Sequence, residues 1–151
     1  MNLYLVRHGC YAPLDVSMSC PLSLEGRADI SRLAHFFSTM RLKVPTIFHS
    51  TKLRAKQTAE IVKGALGVAH CEFLEGLEPN DPIQPMLKLI NSRGDDLMLV
   101  GHLPFIAKLT DQLLSVSDEL NVVDYQPGTA VCLSNDSGQW CIHWVLRSSI
   151  Y

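Results

Sequence analysis

The sequence predicts an α/β fold, a three-layer α/β/α sandwich in which helices cover both faces of a mostly parallel central sheet with a C-terminal edge hairpin. Short, continuously apolar runs such as residues 3–6 are typical of strands buried on both faces. Runs of this kind alternate with segments of helical periodicity, which favours a parallel sheet. The 151 residues, 47% of them hydrophobic, are sufficient for one core. A single domain over residues 1–151 is therefore predicted.

In the first half of the chain, two helices alternate with three strands. Apolar side chains recur at helical spacing over residues 22–40, and Ser23 is a suitable N-cap for this helix. Thr51 can cap a second helix, which Gly67 would end because glycine readily adopts the left-handed conformation of a helix C-terminus. Short apolar runs predict strands at residues 3–6 and 46–48, and residues 70–74 are interpreted as a third strand.

In the second half, two further helices flank a fourth strand, and a hairpin follows. The Asp-Pro pair at 81–82 is typical of an N-cap and a first helical residue, and the helix would end near residue 94. The apolar run within 95–102 predicts a buried strand, and Pro104 would open the next helix. Two strand-like runs around a Ser-Asn-Asp-Ser-Gly turn predict the hairpin, over 129–146.

The composition argues against several classes of partner and cofactor. With 13 Lys plus Arg against 15 Asp plus Glu, the chain has no overall attraction for nucleic acid or anionic lipid. Its apolar runs are shorter than a membrane span and no leader segment is visible, so we expect a cytoplasmic protein. No carboxylate cluster suits magnesium, and the five cysteines contain no CxxC pair. Neither a metal nor another cofactor is predicted, and the cysteines are expected to be free thiols.

Basic and titratable side chains lie at the ends of predicted strands. Arg7 and His8 follow the first strand, and His102 follows the fourth. Ligands of such sheets bind beyond the carboxyl ends of the strands, so we expect these side chains to meet there. Arg54 lies in the first turn of a predicted helix, where a cation is unfavourable unless an anion also binds. The pattern therefore predicts an anion site.

This set of residues suits a phosphoryl group. Guanidinium groups match its oxygens in bidentate fashion and keep their charge at every working pH. Arginines also lower the pKa of a neighbouring histidine, so His8 would stay neutral with one ring nitrogen free for nucleophilic attack. Arg7, Arg54 and His102 would then stabilise the charge of the transferred group without a metal ion.

Four segments resemble the histidine phosphatase superfamily, in the order in which that family has them. Arg7, His8 and Gly9 match its Arg-His-Gly signature. The segments "PLSLEGRADISRLAHF", "HSTKLRAKQTAEIV" and "LVGHLPFI" are similar to its Leu-Thr-x-x-Gly, Ser-x-x-x-Arg-Ala-x-Gln-Thr-Ala and Gly-His-x-Pro motifs. The small size is most similar to the SixA-type phosphohistidine phosphatases. The resemblance implies that His8 is the phosphoryl-accepting nucleophile. It also implies that the other three site residues bind the phosphoryl oxygens, namely Arg7, Arg54 and His102.

Two departures from the mutase-like members of the superfamily bear on the substrate. "CYAPLD" replaces their Ser or Thr and Asn after the signature, and Gly76 stands where they have a proton-donating Glu. The nearest carboxylates that could replace this acid are Glu75, Glu78 and Asp81. An alkoxide leaving group needs an acid, worth about 10²- to 10⁴-fold, whereas the imidazole of phosphohistidine is a much better leaving group. The sequence therefore favours a phosphohistidine substrate.

The predicted activity is removal of a phosphoryl group from phosphohistidine on a relay or phosphotransferase protein in signal transduction, through a phosphohistidine enzyme intermediate. Two alternatives stay open. The first is a phosphomonoesterase for a small phosphorylated metabolite, and the second is a non-catalytic phosphohistidine-binding module. Cys10, two residues after His8, suggests sensitivity to oxidation, although a passive loop thiol is the simpler interpretation. The oligomeric state and the identity of the partner are left open by the sequence.

Overall fold

The computed structural model describes residues 1–13, 19–117 and 120–148, and within them six strands alternate with four helices. The strands are β1 (Asn2–Arg7), β2 (Thr46–His49), β3 (His70–Phe73), β4 (Leu97–Gly101), β5 (Thr129–Asn135) and β6 (Trp140–Arg147). The helices are α1 (Leu24–Thr39), α2 (Leu53–Leu66), α3 (Gln84–Ser92) and α4 (Phe105–Leu113). Strands and helices thus follow the predicted order.

The strands form one sheet in the order β3-β2-β4-β1-β5-β6. The first four strands of the chain run parallel to one another, whereas β5 is antiparallel to β1 and β6 is antiparallel to β5. The central strands are buried on both faces because alternate side chains enter two different cores. In β1, Leu3 and Leu5 pack with α3 and α4, while Tyr4 and Val6 pack with α1 and α2. The predicted three-layer sandwich with a mostly parallel sheet and a C-terminal hairpin is confirmed.

The start of α1 follows the predicted capping pattern. The hydroxyl of Ser23 accepts a hydrogen bond from the backbone N–H of Gly26 at 3.0 Å. The backbone N–H of Ser23 in turn donates to the carbonyl of Cys10 at 3.0 Å, which ties the helix to the loop after β1. A Cβ atom at position 26 would collide with the backbone of Cys10, so glycine is required for this close approach.

The predicted start of α3 at the Asp-Pro pair is wrong. The helix begins at Gln84, and Pro85 rather than Pro82 lies in its first turn. Asp81 instead closes a turn, because its Oδ2 accepts the backbone N–H of Glu78 at 2.9 Å and its own N–H donates to the carbonyl of Glu78. Asp side chains stabilise turns by the same kind of local hydrogen bond that makes them good caps, so the two outcomes look alike in sequence.

The predicted cap of α2 by Thr51 is also wrong, whereas the predicted end of this helix is confirmed. Lys52, not Thr51, occupies the N-cap position, and its side chain makes no capping hydrogen bond. The Thr51 hydroxyl donates to Glu78 instead of capping the helix. Gly67 ends the helix in the left-handed conformation with φ of 66°. The helix therefore begins without a side-chain acceptor for its first N–H groups.

None of the helices that the structure describes is long and apolar enough to cross a membrane. Within residues 1–13, 19–117 and 120–148, no group of three or more His, Cys, Asp or Glu side chains could hold a metal ion. The one departure from regular pairing in the hairpin is a register shift between Cys132 and Leu133.

We predict opposite effects of Gly→Ala at two helical glycines. Gly26→Ala should lower the free energy of unfolding by about 1–3 kcal/mol, because the new methyl group overlaps the Cys10 backbone. Gly64→Ala in α2 is the matched control, since nothing lies within 4 Å of its added Cβ, and it should raise the free energy of unfolding by about 0.5–1 kcal/mol. Urea denaturation measures both. Wild-type stability of Gly26→Ala would contradict the close approach.

Candidate active site

Parallel pairing of β1 with β4 brings the two predicted site histidines together. Arg7 is paired with Gly101, so the next residue of each strand, His8 and His102, lies at the same edge of the sheet. The backbone N–H of His8 donates to the carbonyl of Gly101 at 3.1 Å and extends this pairing by one residue. The two imidazole rings lie 4.8 Å apart between centroids, tilted by 52°.

The His8 ring is buried and oriented by a backbone carbonyl. Only 3% of the residue is exposed, and Nδ1 lies 2.8 Å from the carbonyl oxygen of Gly9. A carbonyl can only accept a hydrogen bond, so Nδ1 carries the proton and Nε2 has the lone pair. Nε–H of Arg54 points at this nitrogen over 3.4 Å. The ring thus presents an unprotonated nitrogen beside a guanidinium group, as nucleophilic attack on a phosphoryl group requires.

Arg7 is held by the loop that precedes β5. One Nη1–H donates to the carbonyl oxygen of Tyr125 at 2.6 Å, and Tyr125 is fixed by a hydrogen bond of 2.7 Å between its hydroxyl and that of Thr110. The backbone N–H of Gly128 in the same loop donates to the carbonyls of Arg7 and His8. Nε of Arg7 is buried without a hydrogen-bond partner among the described residues, so this donor is available to an anion.

Arg54 lies in the first turn of α2, as predicted. The helix has no acidic residue in this turn and no side-chain cap, so its N–H groups and its dipole favour an anion. The guanidinium carbon of Arg54 lies 4.6 Å from the ring centroid of Tyr11, in the range of a cation–π contact. Tyr11 also meets His8 edge to face, with 5.6 Å between ring centroids. Tyr11 therefore flanks both residues at the mouth of the site, a role that no sequence pattern indicated.

His102 is buried and bonded to a serine. Its exposed fraction is 2%, and Nε2 lies 2.5 Å from the hydroxyl oxygen of Ser50, which directly follows β2. The other ring nitrogen, Nδ1, is buried and has no partner within the described part of the chain. His102 thus has one nitrogen held by the protein and one left for a ligand.

Two residues of the motif around Arg54 hold the loop after β1 in place. The hydroxyl of Thr58 accepts the backbone N–H of Gly9 at 3.2 Å and donates to the carbonyl of Arg54 at 2.8 Å. Oε1 of Gln57 accepts the N–H of Leu22 at 2.8 Å. Sequence reasoning noted the motif but missed these contacts, because spacing within one helix does not show which distant backbone it meets.

Burial among cations keeps both histidines neutral. The pKa of His8 is lowered from the ordinary 6.5 to about 4, chiefly by burial, with smaller lowering effects of the Arg54 and Arg7 charges and a raising effect of the Gly9 hydrogen bond. Burial likewise lowers the pKa of His102 to about 3, with smaller contributions from His8 and the arginines. Since the unfolded chain binds these protons below pH 6.5 and the folded chain does not, stability falls as the pH drops from about 6.5 towards 4.

The three candidate acids occupy different environments. Glu75 is exposed in the turn after β3. Asp81 is engaged by the backbone of Glu78, as described above. Glu78 faces the start of α2, where its Oε1 accepts hydrogen bonds from the N–H and the hydroxyl of Thr51 at 2.8 and 2.5 Å. Its Oε2 is buried and makes no hydrogen bond to the described residues.

An open groove of about 590 Å³ lies next to the site, between the loop after β1 and the start of α2. Its lining includes Tyr11, Lys52 and Arg54. Of the "CYAPLD" segment, residues 14 and 15 lie outside the described residues. Cys10 is half-buried, and burial, together with Asp29 and Glu25, raises the pKa of its thiol. A raised pKa makes this thiol less reactive than an ordinary cysteine.

Comparison with known proteins gives both a family and a fold. The model of the histidine phosphatase superfamily (branch 1) matches residues 3–79, just over half of the chain. An uncharacterized protein of Picosynechococcus sp. is 29% identical over 120 residues, 75% of this chain and 73% of that protein. The protein histidine phosphatase SixA complexed with tungstate has a TM-score of 0.85 at 22% identity, with 98% of this chain and 97% of that chain covered. A phosphoserine phosphatase of Entamoeba histolytica, a mutant complexed with phosphoserine, has a TM-score of 0.76 at 14% identity over 98% of both chains. At these identities, the two structures show a shared fold.

We predict that His8 is neutral throughout the physiological range. An NMR titration of the histidine ring nitrogens should give a midpoint for His8 near pH 4. Arg54→Gln should move this midpoint upwards while leaving it below 6.5, because burial is a larger cause of the low pKa than the arginine charge. A wild-type midpoint at 6.5 or above, or an unchanged midpoint in Arg54→Gln, would contradict this account of the site.

Proposed function

Since the chain belongs to the histidine phosphatase superfamily and is a phosphatase, we propose that it removes the phosphoryl group from phosphohistidine on a protein. The observation that carries this proposal is the arrangement around His8. Its Nε2 is unprotonated and lies beside Arg54, with the ring of His102 at 4.8 Å. The proposed site residues are His8 as nucleophile and Arg7, Arg54 and His102 as ligands of the phosphoryl oxygens. No metal ion or other cofactor enters the proposal.

The proposed reaction has two in-line displacements. In the first, the Nε2 lone pair of His8 forms a bond to phosphorus while the bond from phosphorus to the substrate imidazole breaks. The substrate ring, protonated on its other nitrogen, takes the electron pair of the broken bond and leaves as neutral imidazole. In the second, water attacks the phosphorus of the phosphoenzyme. The bond to His8 breaks, inorganic phosphate leaves, and Nε2 recovers its lone pair. Positively charged guanidinium groups stabilise the equatorial oxygens in both steps.

The surroundings of the three candidate acids favour a substrate with a good leaving group. Glu75 is exposed, and Asp81 is engaged in a turn. One oxygen of Glu78 is held by Thr51. Without a dedicated acid, a phosphatase loses the 10²- to 10⁴-fold assistance that an alkoxide needs, but phosphohistidine leaves as imidazole and needs little of it. This difference supports phosphohistidine over a phosphoester.

The second candidate is a phosphomonoesterase for a small phosphorylated metabolite, and one observation favours it. Oε2 of Glu78 is buried and unpaired within the described residues, so it is the carboxyl oxygen through which an acid here would contact a leaving oxygen. A third candidate, a module that binds phosphohistidine without hydrolysis, is less well supported, because an unprotonated His8 beside Arg54 is the arrangement that hydrolysis uses. Release of inorganic phosphate separates this module from both enzymes.

The proposed partner is a phosphohistidine-bearing protein of the relay or phosphotransferase type, in the cytoplasm. Arg54 and Tyr11, which both contact His8, line an open groove rather than a closed cavity, and such a groove suits a phosphorylated side chain on a protein surface. Lys52 and Arg54 contribute positive charge to the groove wall. An acidic surface around the phosphohistidine would complement them.

We predict a covalent intermediate on His8. Brief exposure to a labelled phosphodonor, followed by an acid or alkaline quench, should give a phosphoenzyme that is stable in alkali and labile in acid, as expected for phosphohistidine. His8→Ala should abolish the label. His35→Ala is the matched control, since His35 is exposed on α1, and it should retain the label. Persistence of the label in His8→Ala would refute the assignment of the nucleophile.

We also predict the order of substrates. The kcat/KM for a phosphohistidine protein should exceed that for alkyl phosphomonoesters by about 10²-fold or more, the scale of the missing acid assistance. Glu78→Gln should leave phosphohistidine turnover within about twofold of wild type. If alkyl phosphoesters prove the better substrates, and Glu78→Gln abolishes their turnover, the phosphomonoesterase is the correct function.

A further inference from the structure

Ser50 directly follows β2 and is completely buried, with an exposed fraction of 0%. Its hydroxyl lies 2.5 Å from Nε2 of His102, because β2 pairs in parallel with β4 and both residues follow the ends of their strands. We propose that Ser50 is a positioning residue whose hydroxyl donates to Nε2 and keeps the proton of neutral His102 on Nδ1, from which the ring donates to a phosphoryl oxygen. The inference deepens the proposed function and rests on it, because it needs a phosphoryl group in this site.

The direction of the hydrogen bond follows from the other contact of the Ser50 hydroxyl. The backbone N–H of Lys52 points at Ser50 Oγ over 3.3 Å, and an N–H can only donate. The hydroxyl oxygen is therefore already an acceptor, and its own proton is free to point elsewhere. Nε2 of His102 is the remaining partner, at a distance typical of a short hydrogen bond to a hydroxyl group. The oxygen could accept a second hydrogen bond from a protonated Nε2, but the buried hydroxyl proton of Ser50 would then have no acceptor among its contacts with the described residues. Donation from the hydroxyl to Nε2 satisfies both groups, so Nε2 is assigned as the acceptor and carries no proton.

A neutral imidazole has one proton, so an unprotonated Nε2 leaves it on Nδ1. The low pKa of His102 agrees with a neutral ring at pH 7. Nδ1 is buried and has no partner in the described ranges, and an unmade hydrogen bond at a buried donor costs free energy. The oxygens of a phosphoryl group supply the missing acceptor. A ligand here would therefore satisfy a donor that the protein leaves open.

The opposite tautomer would weaken the site. With the proton on Nε2, the Nδ1 lone pair would face the oxygens of an anion, and the two would repel. Arg7 and Arg54 supply positive charge, but they do not remove the repulsion between the Nδ1 lone pair and the ligand oxygens. Ser50 would thus select the one neutral form of His102 that binds an oxyanion, without requiring a charged imidazole.

The direct test is the tautomer of His102. A long-range ¹H–¹⁵N spectrum of the full chain at pH 7 reports the tautomer of each histidine ring, and the signals that vanish in His102→Gln belong to His102. In wild type, these signals should show the proton on Nδ1. In Ser50→Ala, the ring should become a mixture of the two tautomers, and Ser50→Cys, a weaker donor of similar size, should lie between. Ser134→Ala, which removes a buried hydroxyl in β5, is the matched control and should leave the His102 signals unchanged. An Nε2–H tautomer in wild type, or an unchanged tautomer in Ser50→Ala, would overturn the inference.

Turnover provides the second test. Ser50→Ala should reduce kcat/KM for the phosphohistidine protein by about tenfold, the effect of one hydrogen bond to a charged group in the transition state. In a His102→Gln background, Ser50→Ala should leave kcat/KM nearly unchanged, because the hydroxyl acts through the imidazole. A tenfold loss in both backgrounds would indicate a merely structural role and overturn the proposal.

Inorganic phosphate separates this inference from the proposed function. Titration of wild-type protein with phosphate should shift the Nδ1–H signal of His102, and Ser50→Ala should weaken the apparent affinity for phosphate. If these changes occur but phosphohistidine is not hydrolysed, the proposed substrate fails while the role of Ser50 stands. If phosphohistidine is hydrolysed and phosphate leaves the Nδ1–H signal unmoved, the role of Ser50 is refuted and the proposed function stands.

Discussion

The register between β1 and β4 is the constraint on which the rest of the site depends. Pairing of Arg7 with Gly101 makes His8 and His102 the first residues beyond two neighbouring parallel strands. A slip of one residue would turn the side chains of a strand to the opposite face, so that Tyr4 and Val6 would have to fit the core that Leu3 and Leu5 fill. The packing of two short strands between two cores therefore decides the distance between the two imidazole rings.

Burial of two uncharged histidines among arginines gives the site its chemical character. Desolvation opposes the imidazolium form, and the arginine charges act in the same direction. Backbone and hydroxyl groups then choose which nitrogen of each ring is protonated. For His8, the carbonyl of Gly9 fixes the proton on Nδ1 and directs the lone pair of Nε2 towards Arg54. The guanidinium groups thus provide the positive charge, while the His8 ring provides an unprotonated nitrogen, the proposed nucleophile.

Much of the fold could be predicted because its signals are local. The apolar strands, the Ser23 cap and Gly67 as a helix stop depend on neighbouring residues, and the structure confirms all three. Asp81 was assigned as a cap wrongly because a turn uses the same local hydrogen bonds as a cap. Thr51 was assigned wrongly because its partner Glu78 belongs to a distant segment, and such a contact leaves no trace in local propensity. The four proposed site residues could be named from strand ends and motifs. Their supports could not, since the Tyr125 carbonyl that holds Arg7 is backbone and is present at every residue.

A site built in this way discriminates among substrates by their leaving groups. In the proposed reaction, the guanidinium groups and the His102 ring act on the transferred phosphoryl group, which is the same in every phosphorylated substrate, so they would accelerate all such reactions by similar factors. Selection must then come from the departing atom. Glu78 is bound by Thr51 through one oxygen, and a donor held at the start of α2 contributes to a reaction only where the leaving atom comes within hydrogen-bond distance of the other oxygen. An imidazole departs without that contact. The same fold can therefore catalyse hydrolysis of phosphoesters or of phosphohistidine, depending on whether one carboxylate oxygen lies within reach of the atom that leaves phosphorus.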